Sequence, residues 1–202
     1  MKQIIAVDVD DVLADSTEFW RKEVNNRVGL NLEREHWRVP GEYSGYYTRL
    51  WEAHGIGHLF SVDDIDAFMK HDQSLIWSTE SASHVLRKLA EKYELAVVTA
   101  RNTAQEAATR RWLDEVFPGV FSRVYFTWQP DTETAKNKGE ICADIGAKWL
   151  IDDSPVHCRD ALAHDVQPIL YGEYGWHVDI PMGVVHFKSW QEIGSYFDEQ
   201  GN

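Results

Sequence analysis

Short apolar, β-rich runs alternate with segments of helical period along this chain, and the alternation predicts an α/β fold: a Rossmann-like parallel sheet with helices on both faces. The runs read as strands are Ile4 to Asp8, Leu95 to Thr99, Val124 to Thr127, Trp149 to Asp152 and Pro168 to Tyr171. Helical spacing fills the later intervals. Val85, Leu86, Leu89 and Tyr93 precede Leu95, Ala104 to Val116 follows Thr99, and Ile141 and Ile145 precede Trp149.

Residues 16–78 break this rhythm. Phe19, Trp20, Val24 and Val28 share one face of a helix, and Ser61 followed by Asp64 is a capping signal for a second helix through Ile65, Phe68 and Met69. Between them Pro40, Gly41, Gly45, Gly55 and Gly57 punctuate an aromatic-rich stretch holding Trp37, Tyr43, Tyr46, Tyr47 and Trp51. So long an interval between strands carries either function or its own structure. It reads as a small helical cap (16–78) inserted after the first strand of a core formed by 1–15 and 79–202. Such a cap lies over the carboxyl ends of the strands, where open α/β sheets bind ligands, and there it can exclude water and select substrate.

Composition narrows the partners. A length of 202 residues suits one core of ordinary size plus an insertion, and 44% hydrophobic with 26% charged content reads as soluble and globular. The N-terminus has no signal-peptide pattern and the chain no apolar run of about 20 residues, so the expected location is the cytoplasm, away from membranes. A net charge of -13 disfavours DNA or RNA polymers, which need clustered Lys and Arg, but allows a small anion if a metal and a few cations focus the field. Cys142 and Cys158 form no CxxC pair and read as buried free thiols. Oligomeric state stays open, a homodimer included.

The chemistry concentrates in DVDDVLADS, Asp8 to Ser16, directly after the apolar IIAV. Two carboxylates about 4 Å apart repel by roughly 4 kcal/mol at an effective dielectric of 20, so something must hold such a cluster together. A divalent metal does so and also attracts phosphate. Taken alone, a DxD after a strand is more often solvation or helix capping.

Three further segments fall at strand ends or helix starts: TARN from Thr99, KNKGEI from Lys136 and IDDSP from Ile151. With DVDDVL they resemble, in order and spacing, the four motifs of the haloacid dehalogenase-like (HAD) phosphohydrolases. The opening DVDDVLAD, the cap position, LIDDSP and the closing FKSW at Phe187 to Trp190 are most similar to the 5'(3')-deoxyribonucleotidase family. The resemblance implies Asp8 as nucleophile and Asp10 as general acid and base, and Thr99 as a phosphate-binding hydroxyl with the backbone at Ala100 and Arg101 beside it. It also implies Lys138 as the neutralising lysine, with Lys136 a neighbour that could be mistaken for it. Asp8, the Asp10 backbone carbonyl and the pair Asp152 and Asp153 are the implied metal ligands, an all-oxygen set that favours magnesium. The implied reaction is hydrolysis of a phosphomonoester through an aspartyl-phosphate, on a small phosphorylated metabolite and, more narrowly, a nucleoside monophosphate.

Residue chemistry adds expectations and alternatives. An Asp with a pKa near ~3.9 is a poor acid at neutral pH, so burial or neighbouring carboxylates should raise that of Asp10. Arg101 either contacts substrate or pairs with an acidic neighbour, and Trp20 is either a substrate contact or, as helical aromatics more often are, core. The family commonly carries an aromatic where this chain has Ser16. His54 and His58 are four apart but separated by Gly55 and Gly57, which speaks against a helical metal pair, and His157 reads as a surface helix residue. The competing functions are a phosphatase for some other small metabolite, a haloacid dehalogenase, phosphoryl transfer to an acceptor other than water, a two-component receiver domain, and a silent HAD-fold binding protein. Intact Asp8, Asp10, Thr99, Lys138 and Asp152 argue against the last.

Overall fold

Successive side chains of the central strands enter opposite hydrophobic clusters, which is why their sequences read as nearly unbroken apolar runs. Ile5, Val7, Val97 and Ile151 face one cluster, whereas Ala6, Val98 and Leu150 face the other. A computed structural model gives the structure, describing residues 2–33, 52–59, 62–128 and 136–200 of the 202. Its strands are β1 (Ile4–Val7), β2 (Glu94–Asn102), β3 (Arg123–Trp128), β4 (Ala147–Asp152), β5 (Gln167–Tyr171) and β6 (Val185–Phe187). All neighbours pair in parallel, in the order β3-β2-β1-β4-β5-β6. The five expected strands are present, and the three-residue edge strand β6 is additional.

Helices cover both faces. Among the described residues they are α1 (Ser16–Val28), α2 (Val62–His71), α3 (Ala82–Lys92), α4 (Glu106–Val116), α5 (Lys138–Ile145), α6 (Pro155–Ala163) and α7 (Trp190–Gln200). Side chains of α3, α4 and α7 fill the first cluster through Leu86, Leu89, Trp112, Leu113, Ile193 and Phe197. Ile141 and Cys142 of α5 and Ala161 of α6 fill the second. Cys142 and Cys158 are free and buried, as expected.

The chain leaves β1 toward β2 and β3 on one side and later fills β4, β5 and β6 on the other. The carboxyl ends of β2, β1 and β4 therefore flank a topological switch point, where the fold leaves a crevice. The long connection from β1 to β2 contains α1 and α2 at the places the periodicity predicts. They meet through aromatic rings: Phe68 lies 5.4 Å from Phe19 and 5.2 Å from Trp20, centroid to centroid. Ser61 and the expected aromatic stretch Trp37 to Trp51 lie outside the described residues.

Trp190, at the start of α7, fixes the loop that leaves β1. Its indole is fully buried and donates to the Val12 carbonyl at 3.1 Å and to Thr79 Oγ1 at 3.0 Å, while Thr79 Oγ1 itself donates to Val12 O at 2.6 Å. Trp190→Phe removes that donor and leaves a gap, at a cost of about 2 kcal/mol. Thermal denaturation should show a melting temperature lower by about 4–8 °C for a chain of this size, and a change below about 1 °C would contradict the clamp.

Candidate active site

The strand ends deliver the acidic residues to one place. β1 ends at Val7, and the next amide, Asp8 N, still donates to Ile151 O of β4 at 2.9 Å, so Asp8 and Asp152 leave adjacent strands together. The chain then turns sharply: Asp11 has φ 56°, in the left-handed region that Asp tolerates better than most residues. Its carboxylate accepts from Thr17 N at 2.8 Å and Thr17 Oγ1 at 2.7 Å, closing the first turn of α1 over the loop.

Lys138 occupies the centre. Only 1% exposed, it places Nζ 2.8 Å from Asp8 Oδ1 and 2.7 Å from Asp152 Oδ2. A capping box sets it there as the first residue of α5: Asn137 accepts from Glu140 N at 2.8 Å, and Glu140 accepts from Asn137 N at 2.8 Å. Gly139 permits the docking, because a Cβ there would lie 2.5 Å from the Asp160 backbone oxygen of α6. Lys136, the alternative lysine, is exposed and pairs with Asp144.

Burial and charge set the protonation. Burial pushes the Asp8 carboxyl up; Lys138 opposes this, Asp152 and Asp10 add to it, and the value is raised to about 6. Burial likewise pushes Asp152 up, but the Lys138 ammonium and His157 more than reverse it and hold it well below the usual carboxylate range. Asp11 is raised to about 7 by burial, against its Thr17 hydrogen bonds and reinforced by Asp10. Asp153 is raised by burial and by Asp152, Asp11 and Asp8. Lys138 stays charged: burial works against the ammonium, and its two carboxylates outweigh that.

Asp10 differs from expectation. Burial pushes it up, yet the net shift is downward. The reason is a two-pronged ion pair, with Arg101 Nε 2.8 Å from Asp10 Oδ2 and Nη2 2.7 Å from Oδ1, joined by Ser16 Oγ at 2.5 Å from Oδ1. The neighbouring carboxylates thus count for less than a guanidinium that the sequence left between two roles. Arg101 takes the pairing role, buried rather than at the surface. Ser16 is a buried donor to Asp10.

The other expected residues sort by position. Thr99 is fully buried at the end of β2, its hydroxyl accepting from Arg101 N at 3.2 Å, and Ala100 beside it is exposed. Trp20, left between substrate contact and core, is 3% exposed and packed edge-on against Phe19 and Phe68, because the small insertion needs large side chains to make an interior. His54 and His58 are exposed and separated by a turn at Gly55, φ 65°.

Two features were missed. His157, read as a surface residue, puts Nδ1 3.1 Å from Asp152 Oδ1 and lies with Asp8 and Asp152 so that one ligand atom from each falls within 4.8 Å of the others. The Ser-Pro start of α6 was the available signal, since it places His157 in the first helical turn, beside the strand end. Asp153 is gripped by Trp176, whose Nε1 donates to Oδ2 at 2.8 Å, and no spacing in the sequence announces that contact.

A metal fits this donor set. Five carboxylates, Asp8, Asp10, Asp11, Asp152 and Asp153, lie among two cations, Lys138 and Arg101, and Asp8, Asp11 and Asp153 are raised first by burial and further by their carboxylate neighbours. Oxygen donors of this kind suit a hard divalent cation.

Known proteins resemble this chain in sequence and fold. The family model described as "5' nucleotidase, deoxy (Pyrimidine), cytosolic type C protein" covers residues 2–197. A 5'(3')-deoxyribonucleotidase of Bacillus subtilis (strain 168) is 29% identical over 158 residues, 76% of this chain and 77% of that protein, and one of Bacillus phage SPbeta matches to the same extent. Among solved structures, a predicted phosphatase from Clostridium acetobutylicum superposes with a TM-score of 0.66 at 15% identity, covering 98% of this chain and 99% of that one. A haloacid dehalogenase-like protein from Agrobacterium tumefaciens str. C58 gives 0.65 at 14% identity, covering 100% of both. Those two show the shared fold, and the family model shows the kinship: this chain belongs to the deoxy (pyrimidine), cytosolic type C family of 5' nucleotidases, on a HAD-like fold.

Proposed function

We propose that this protein is a magnesium-dependent phosphomonoester hydrolase that works through an aspartyl-phosphate on Asp8 and takes nucleoside monophosphates as substrates. The observation that carries the reading is the buried bridge of Lys138 between Asp8 and Asp152, with Asp10 beside it. The nucleotide part rests on the names of the relatives, 5'(3')-deoxyribonucleotidases of Bacillus subtilis (strain 168) and phage SPbeta.

In the first step an Asp8 carboxylate oxygen attacks phosphorus and the phosphorus–oxygen ester bond breaks; the departing alcohol receives its proton from the minor, protonated form of Asp10, which draws that proton from solvent because Arg101 and Ser16 favour the carboxylate. Lys138 offsets charge on Asp8 and on the phosphoryl oxygens, and Thr99 with the following backbone amides binds those oxygens. In the second step water attacks the phosphorus of the aspartyl-phosphate while Asp10 takes its proton. Arg101 and Ser16 hold Asp10 as a carboxylate, the form this step needs. Magnesium held by Asp8, the Asp10 carbonyl and the Asp152–Asp153 pair would supply charge neutralisation at the phosphoryl group. Residues 16–78 serve as a lid, with α1 starting at the residue that touches Asp10.

Activity across deoxy- and ribonucleoside monophosphates, 5' and 3', set beside sugar phosphates, tests the substrate class; no preference for any nucleotide would overturn it. Asp8→Asn should abolish turnover of an aryl phosphate, a fall of roughly 10³-fold or more, in a variant that still melts cooperatively although it loses one carboxylate partner of Lys138. Retained magnesium-dependent turnover in that variant would refute the nucleophile.

Metal-free stability carries a separate signature. Asp8 and Asp11, raised to about 6 and about 7, keep protons that the unfolded chain has already released. Their favourable contribution is complete below the unfolded value and is lost as pH rises through the folded ones. Magnesium should therefore raise the melting temperature more at about pH 8 than at about pH 5, since protons compete with it for the Asp8 carboxylate. Equal gains at both pH values would contradict a metal site built on Asp8.

A further inference from the structure

The Arg101 guanidinium joins the site to the inserted helices. Its two edges serve different partners: Nε and Nη2 grip Asp10, while Nη1 donates to Gln73 Oε1 at 2.6 Å and to Thr109 Oγ1 at 3.1 Å. Gln73, just past the end of α2, is 2% exposed and turns its amide nitrogen back to Met69 O of α2 at 2.8 Å and to Thr109 Oγ1 at 3.1 Å. Thr109, on α4, is fully buried. An unbroken chain of buried polar contacts thus runs from the last turn of α2, through Gln73 and Arg101, to both oxygens of Asp10.

Two more contacts seat α2 on the core beside this chain. Gln105 Nε2 donates to Asp66 Oδ1 at 2.9 Å, and Arg111 Nη2 donates to the His71 carbonyl at 2.8 Å. Asp10 therefore has its orientation fixed by an arginine anchored both to Gln73, just past the inserted helix, and to Thr109 of the core. A planar guanidinium held on both edges imposes an angle as well as a distance, which a lysine ammonium cannot do.

We infer that Arg101 and Gln73 are positioning residues that relay the seating of α2 to Asp10, so that the proton carrier is aligned for the leaving group only when the lid helix is docked. The inference rests on the phosphatase reading and adds what controls its proton transfer. The Arg101 side chain acts on Asp10 and the Gln73 side chain acts on Arg101, neither of them on the phosphoryl group.

The test is the leaving-group dependence of kcat/KM with phenyl phosphate and p-nitrophenyl phosphate, whose leaving groups differ in their need for a proton. Arg101→Lys and Arg101→Gln should lower kcat/KM for phenyl phosphate by about tenfold or more beyond any loss on p-nitrophenyl phosphate, as expected when general-acid alignment is lost. Gln73→Met, which touches neither Asp10 nor phosphate, should show the same selectivity with a loss of about threefold to tenfold, and should add less than about twofold in the Arg101→Gln background. Melting temperatures of all variants identify any that fail to fold, and Arg101→Lys keeps the buried charge should Arg101→Gln be among them. Equal losses on the two esters, or a weakened inhibition by inorganic phosphate with unchanged leaving-group selectivity, would overturn the relay and leave the phosphatase intact. A wild type without turnover on either ester would overturn the phosphatase reading and the relay with it.

Discussion

A lysine ammonium held in the interior between two carboxylates is the constraint around which this protein is arranged. Lys138 is 1% exposed and meets Asp8 and Asp152 at 2.8 and 2.7 Å. Removing one partner from such a buried set is expensive, about 3–5 kcal/mol, because it leaves a charge without compensation. The sheet order brings Asp8 and Asp152 to neighbouring strand ends, and the capping box with Gly139 brings the lysine between them. Fold and chemistry share these contacts.

The surrounding charges divide into two systems. Asp8, Asp11 and Asp153 take values raised first by burial and then by neighbouring carboxylates. At Asp10 the carboxylate is already neutralised by Arg101 and Ser16. Two aspartates only two residues apart thus sit in opposite environments.

Much of this was readable because sheet topology makes it so. Once β1, β2 and β4 were read as parallel strands, Asp8, Thr99 and Asp152 had to share an edge, and Lys138 followed from the motif at the start of α5. The choice against Lys136 was also present in the sequence, as the Asn137–Glu140 capping box that makes Lys138 the first helical residue. What escaped depends on long side chains crossing between segments distant in the chain. Arg101 reaches back 91 positions to Asp10, and Trp176 reaches Asp153 from the loop after β5. Periodicity reports which face a residue lies on, not which partner a guanidinium or indole finds there. β6 was missed for a simpler reason: three residues are too few to show a period.

The central claim is that phosphate passes through Asp8 before it reaches water. The stereochemical course at phosphorus tests it most directly, using a substrate ester made chiral at phosphorus with sulfur and oxygen isotopes and hydrolysed in isotopically labelled water. Two successive in-line displacements, first by Asp8 and then by water, give net retention of configuration, which is the predicted result. Net inversion would mean a single direct attack by water and would contradict the account.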